Sequence, residues 1–131
     1  MLRYEMFKRL NTGGSDLSEQ EIRNCTARMI GESGVQFYDF LKDCSDYLSF
    51  QKCISTLPDS EKDKRGGEEL VLRFLALKRR RENFKGSVRD WLDECMEAII
   101  FEEIPFNYQQ EEEDFKKLFD YLDQREFDAL N

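Results

Sequence analysis

The sequence predicts an all-α protein, an irregular bundle of five to seven helices forming a single helical domain or lobe over residues 1–131. Three observations predict it. Apolar residues recur at i, i+3, i+4 and i+7 through most of the chain, and no run alternates as a half-buried strand would. Capping residues and glycines punctuate the periodic runs where helices should start and stop. The 11 Phe, 5 Tyr and 1 Trp supply enough aromatic surface for a packed core, while 2 Pro and 7 Gly are too few for a turn-rich or low-complexity chain.

The elements follow in order. Residues 1–10 form an apolar stripe of Leu2, Met6, Phe7 and Leu10. No capping sequence precedes it, so the chain either begins within a helix or lacks a preceding part. Asn11-Thr12-Gly13-Gly14-Ser15 breaks the pattern with a turn that paired glycines permit. Ser18 with Glu21 makes a capping box, flanked by a Leu17–Ile22 staple, for a helix from residue 19 to Ile30 that stops at Gly31. A second helix over Val35–Tyr47 carries two apolar stripes, Val35-Tyr38-Leu41 and Phe37-Phe40-Cys44-Tyr47, which predicts burial on most sides. Ser49 is placed to cap a short helix bearing Phe50, Cys53 and Ile54. Residues 58–67 are polar between a proline and two glycines, and are expected to form a mobile loop.

The next helix should run from Glu68 to Arg81 with Leu70, Val71, Phe74, Leu75 and Leu77 on its core side. Its acidic start and the basic run Lys78-Arg79-Arg80-Arg81 suit the helix dipole. Ser87 can cap a helix whose Val88, Trp91, Leu92, Cys95, Met96, Ile99 and Ile100 keep an unbroken helical register, ending before Ile104-Pro105. The last helix, Glu111–Ala129, should turn Phe115, Leu118, Phe119, Leu122, Phe127 and Leu130 inward. The acidic cluster Glu111–Asp114 reads as a dipole-matched start, since successive helical side chains diverge too far to share a metal.

Composition excludes much chemistry. With no histidine there is no Ser-His-Asp or Cys-His pair, no His-ligated metal and no His-Asn-His nuclease site. Cys25, Cys44, Cys53 and Cys95 form no C-x-x-C and are expected to be buried reduced thiols. No apolar run approaches the ~18 residues of a membrane span and no signal-peptide stretch opens the chain, so a cytoplasmic protein without a membrane partner is expected. The formal charge of −8 is uneven. Residues 91–131 hold 3 basic and 13 acidic side chains, whereas residues 1–90 hold 17 and 15, so only the C-terminal third should repel a phosphate backbone.

Two sets of residues are candidates for binding. A Gly-Gly turn before a capped helix exposes backbone N–H groups to an anion, and Arg9, Asn11 and Thr12 beside Gly13 and Gly14 could add donors for a nucleotide or phosphate. The plain alternative is a well-capped helix joint. The basic run Lys78, Arg79, Arg80 and Arg81 with Lys85 is the candidate nucleic-acid contact, against the alternative of a solvated helix end. No catalytic residue and no metal ligand stand out.

The stretch F-x-R-L-N-T-G-G-x-x-L-S-x-x-E-I-R-N over residues 7–24 resembles the signature in the later half of the GmrSD-type restriction endonuclease N-terminal family, formerly a domain of unknown function numbered 262. Two further segments resemble that family in order: Glu68-Glu69-Leu70-Val71-Leu72-Arg73-Phe74-Leu75-Ala76-Leu77, then Phe84-Lys85-Gly86 with Trp91-Leu92-Asp93 and Met96. The resemblance covers residues 3–100. It implies kinship with the ParB and sulfiredoxin superfamily and with nucleotide-dependent DNA-processing proteins of restriction and phage defence. Arg9, Asn11, Thr12, Gly13 and Gly14 match the motif that would flank the nucleotide or DNA cleft. Glu5 and Arg9 loosely resemble the Glu and Arg of ParB's nucleotide-binding helix, with Met6 where that motif has Asn.

The family's Asp-Gly-Gln-Gln-Arg motif and its appended His-Asn-His nuclease are absent from this sequence. The resemblance therefore implies a helical lobe that is not an enzyme in isolation, needs no cofactor of its own, and would meet NTP and Mg only in the complete domain. Its partners would be the missing N-terminal lobe or another protein, DNA, and a second copy that covers helix 1 in a homodimer. The alternative is an independent acidic protein–protein interaction module whose C-terminal third meets a basic partner.

Overall fold

The computed structural model describes residues 17–55 and 66–130, with side chains as far as Arg125. Among the described residues there are six α-helices and no strand: α1 (Glu19–Ile30), α2 (Glu32–Asp46), α3 (Leu48–Cys53), α4 (Gly66–Arg79), α5 (Val88–Ile100) and α6 (Tyr108–Leu130). A single 3-10 turn, Arg81–Asn83, follows α4. The expected helix over residues 1–10 and residues 58–65 of the expected loop lie outside the described residues, and Gly66 and Gly67 belong to α4 instead. No helix among the described residues is long and apolar enough to cross a membrane.

α2 is the hub and packs against each of the other five helices. Gly31 alone separates it from α1, with φ at 129°, a conformation L side chains rarely adopt. The two helices then cross closely. A Cβ at Gly34 would run into the Ala27 carbonyl oxygen on α1, so glycine sets the approach distance here.

One apolar stripe of α2 enters the core rather than two. Phe37, Phe40, Leu41 and Cys44 are buried, but Val35 stays 40% exposed and Tyr38 half-buried. α4 is rotated from the expected phase. Val71, Leu72, Leu75 and Ala76 are buried at i+3, i+4, i+7 and i+8 from the buried Glu68, and Leu77 is 55% exposed. On α5 the expected face is buried except at Val88. α6 sends Phe115 and Phe119 inward, while Leu118 and Leu122 stay at the surface. Phe115 and Phe119 interleave with Phe50 of α3 and Phe74 of α4, with ring centroids 4.6–5.9 Å apart and mostly edge-to-face.

Helix ends show where local chemistry wins. Ser18 accepts from the Glu21 amide at 3.1 Å and Glu21 accepts from the Ser18 amide at 3.0 Å, completing the expected box. Ser87 accepts from the Asp90 amide at 3.1 Å. α2 begins at Glu32, three residues before the expected start. α5 ends at Ile100, before proline can act. The Glu103 amide reaches the Ala98 carbonyl and the Glu102 amide that of Ile99, a Schellman closure with Glu102 at φ 57° where glycine is usual. Asn107 accepts from the Gln110 amide at 3.0 Å, so α6 starts at Tyr108, earlier than its acidic cluster suggests.

Ser49 does not cap α3. Its hydroxyl donates to Asp120 on α6 at 2.6 Å, and the Tyr47 hydroxyl donates to the same carboxylate at 2.8 Å. The hydrogen bonds from Ser49 and then Tyr47 hold the Asp120 carboxyl below its ordinary range, and the Asp120 bond raises the Tyr47 phenol.

Two outcomes follow from these contacts. Gly34→Ala must push α1 from α2 and should cost about 2–3 kcal/mol, read as a lower urea midpoint. Asp120 contributes stability in full above the ordinary carboxylate pKa, and that contribution is lost as pH falls through the lowered folded value. Tyr47 contributes in full below the ordinary phenol pKa, and its share is lost as pH rises through the raised value. The stability difference between the wild type and Asp120→Asn should therefore be flat from about pH 5 to about pH 9 and shrink on both sides, measured by denaturant titration at each pH.

Candidate functional site

The site starts from α1, whose inward face is polar. Gln20, Arg23, Asn24, Thr26 and Ala27 are buried, whereas Leu17 and Met29 are exposed, Met29 by 72%. An arginine in the interior needs an acceptor for each N–H it brings. Arg23 is 0% exposed, and its donors reach three elements. Nε meets Asp93 Oδ1 of α5 at 2.7 Å, and Nη1 meets Gln20 Oε1 at 2.9 Å and Glu69 Oε1 of α4 at 3.2 Å. Nη2 donates to the Arg89 carbonyl at 3.4 Å and lies 3.9 Å from the Glu19 carboxylate.

A second strand of the network runs alongside. Gln20 Nε2 donates to Asn24 Oδ1 at 3.0 Å, and Asn24 Nδ2 donates to the buried Glu68 at 2.6 Å. Arg73 closes the outer edge on Glu69 at 3.0 Å. The guanidinium is turned wholly onto protein acceptors, so Arg23 is a positioning residue and not an anion receptor.

These residues were not singled out from the sequence, although each stands in a segment quoted above. A signal was there. Gln20, Arg23 and Asn24 share one helix face at i, i+3 and i+4, Glu68 opens the buried register of α4, and Asp93 is three residues before the buried Met96. A charge holding an apolar register position implies a buried partner.

The residues selected from the sequence fare differently. Arg9, Asn11, Thr12, Gly13 and Gly14 lie outside the described residues. The basic run does not form one surface. Lys78 pairs with Glu111 at 2.7 Å and Asp114 at 3.1 Å. Burial pulls its ammonium pKa down, but those two hydrogen bonds outweigh it and raise the pKa. Arg79 donates to the Pro105 carbonyl, and Arg80 is half-buried beneath Trp91, whose indole N–H donates to the Arg80 carbonyl at 2.8 Å. Arg81 and Lys85 face solvent on the turn beyond α4.

The acidic cluster on α6 is a docking element as well as a helix start: Glu111 and Asp114 hold Lys78, and Glu112 holds Lys116 at 2.8 Å. No group of three or more metal-ligating side chains gathers among the described residues.

The four thiols are free. Cys44 and Cys95 are buried, whereas Cys25 and Cys53 are only half-buried, which corrects the expectation of four buried thiols. Burial pushes Cys44 and Cys95 up to about 12, so both stay protonated and unreactive.

Comparison with protein-family models, with curated proteins and with solved structures finds no match to this chain.

Removing Arg23 should leave Asp93 and Glu69 facing a void. Arg23→Met is expected to cost about 3–5 kcal/mol, and Arg23→Lys to recover little of it because an ammonium lacks the fork. Combined with Asp93→Asn the losses should be less than additive by about 1 kcal/mol or more, measured by urea unfolding of the four proteins in the cycle. Strict additivity would break the assignment of these two side chains to one unit.

Proposed function

We propose that this chain is the helical lobe of a nucleotide-dependent DNA-processing protein of the restriction and phage-defence type, without the catalytic half and inactive alone. The observation that carries this reading is the buried network. The three segments that resemble the GmrSD-type family lie far apart in sequence, and their polar members Arg23, Asn24, Glu68, Glu69 and Asp93 meet at one place. A pattern of residues that is scattered in sequence but joined in space is what a shared lobe needs.

In this reading the network does no chemistry. It fixes the start of α1 on α4 and α5, and so fixes the point from which the chain leads back to Arg9, Asn11, Thr12, Gly13 and Gly14. Those five residues would flank the nucleotide or DNA cleft, with NTP and Mg held by the complete domain. A DNA contact of this lobe would run through Arg81 and Lys85, since Lys78 and Arg79 already serve α6 and the Pro105 loop.

The reading is tested with the purified chain and a separately produced family half that carries Asp-Gly-Gln-Gln-Arg. The chain alone, given ATP or GTP with Mg and duplex DNA, should neither hydrolyse nucleotide nor cut DNA. Mixed, the two halves should co-elute and hydrolyse nucleotide, and Arg9→Ala should remove the hydrolysis but keep the complex. Turnover by the chain alone that vanishes in Arg9→Ala, or failure of the halves to associate, would overturn it.

A further inference from the structure

A stripe of α2 that stays out of the core lines a groove with the start of α6. We propose that the groove between α2 and the start of α6 docks a Lys- or Arg-bearing amphipathic helix of a partner protein. This inference stands apart from the DNA-processing reading and does not need it.

The groove has a volume of about 640 Å³, and Glu32, Val35, Asp39, Phe40, Asp43 and Glu112 are among its lining. Its floor is apolar. Phe40 is buried there and packs edge-on against Tyr108 at 5.4 Å, and Val35 is 40% exposed above it. Its α2 wall is acidic. Glu32, Asp39 and Asp43 are all exposed, and none of them makes an ion pair among the described residues. Asp39 and Asp43 stand at i and i+4, where like charges repel along a helix until a cation comes between them. Glu112, on the opposite wall, is already held by Lys116.

The spacing selects the occupant. Glu32, Val35, Asp39 and Asp43 follow i, i+3, i+7 and i+11, so they lie along one face of α2. The eleven steps from Glu32 to Asp43 extend roughly 16 Å, three turns of a facing helix. A helix laid there can seat one apolar anchor on Val35, Phe40 and Tyr108 and bring a cation to the acidic wall on each turn. Carboxylates in this number repel a nucleic-acid backbone and an anionic lipid surface. They are also strung along three turns rather than converging as metal ligands must, and no metal-ligating group forms among the described residues.

The test uses the full chain and a labelled synthetic peptide, an amphipathic helix with Lys at i, i+4 and i+7 around a Leu anchor, followed by fluorescence anisotropy. Binding should weaken as salt rises. Asp39→Lys with Asp43→Lys should weaken it by about tenfold or more, and Val35→Asp should weaken it without changing the charge of the other wall residues. The double reversal Glu82→Lys with Glu94→Lys, at exposed sites away from the groove, should leave it within about twofold. Circular dichroism verifies that each variant keeps its helix content.

Equal loss in the Glu82/Glu94 control would reduce the effect to net charge and overturn the proposal. So would unchanged affinity in the Asp39/Asp43 variant. Sedimentation of the chain alone supplies the remaining arm. A dimer abolished by Asp39→Lys with Asp43→Lys would give the groove to a second copy and overturn the assignment to a partner; a monomer unaffected by those changes supports it.

Discussion

The guanidinium of Arg23 is the constraint on which the arrangement of α1, α4 and α5 depends. A charge without water must be surrounded by acceptors whose positions are fixed, and here the acceptors come from three helices. α1 offers no wide apolar face that could slide over a core, and its register is therefore set by hydrogen bonds of defined direction. A buried ion pair gains little net stability over a well-packed apolar equivalent, but misplacing it by one residue is costly. Its contribution is to exclude other packings. Gly31 and Gly34 then carry the position of α1 directly into α2, the hub that each of the other five described helices touches.

α6 is held by different physics. Phe115 and Phe119 enter a cage made with Phe50 and Phe74, which any similar set of rings could fill. Specificity comes from polar ties at two levels of the helix. Lys78 bridges Glu111 and Asp114 near its start, and Tyr47 with Ser49 holds Asp120 about two turns further on. The aromatic cage supplies attraction and the polar ties fix rotation and height. The same rotation leaves Leu118 and Leu122 at the surface although their spacing suits a core stripe.

That contrast explains what could be read from the sequence. The helices among the described residues and most of their caps were legible because they arise from local rules: Ser18 with Glu21, Ser87, and the unbroken register of α5. The phase of α4 was not, since Leu70, Phe74 and Leu77 make as good a stripe as Leu72, Leu75 and Ala76 until Glu68 is known to be buried. That α5 ends before Ile104-Pro105 was legible, but not the residue that closes it, because a left-handed glutamate carries no sequence mark. The central network escaped because its residues are polar, and polar residues are read as surface unless their register is compared with their neighbours'. Ser49 was a reasonable cap by type, but a carboxylate across the helix interface competes better for its hydroxyl than a backbone amide does.

Formal charge by segment misleads for the same reason. The C-terminal third is the acidic part of the sequence, yet five of its carboxylates along α6 are engaged: Glu111 and Asp114 by Lys78, Glu112 by Lys116, Asp120 by two hydroxyls, and Asp123 by Lys52 at 3.9 Å. The basic run is engaged too, through Lys78 and Arg79. The two strongest charge signals in the sequence meet at Lys78, which bridges Glu111 and Asp114. An acidic surface also remains open on α2, in the stretch whose charges nearly cancel on paper. Glu32, Asp39 and Asp43 reach solvent there because the stripe they share with Val35 was left outside the core when Phe37, Leu41 and Cys44 took the interior. The field a partner would meet is therefore set by which charges packing has left over, and the helix that organises the core also presents it.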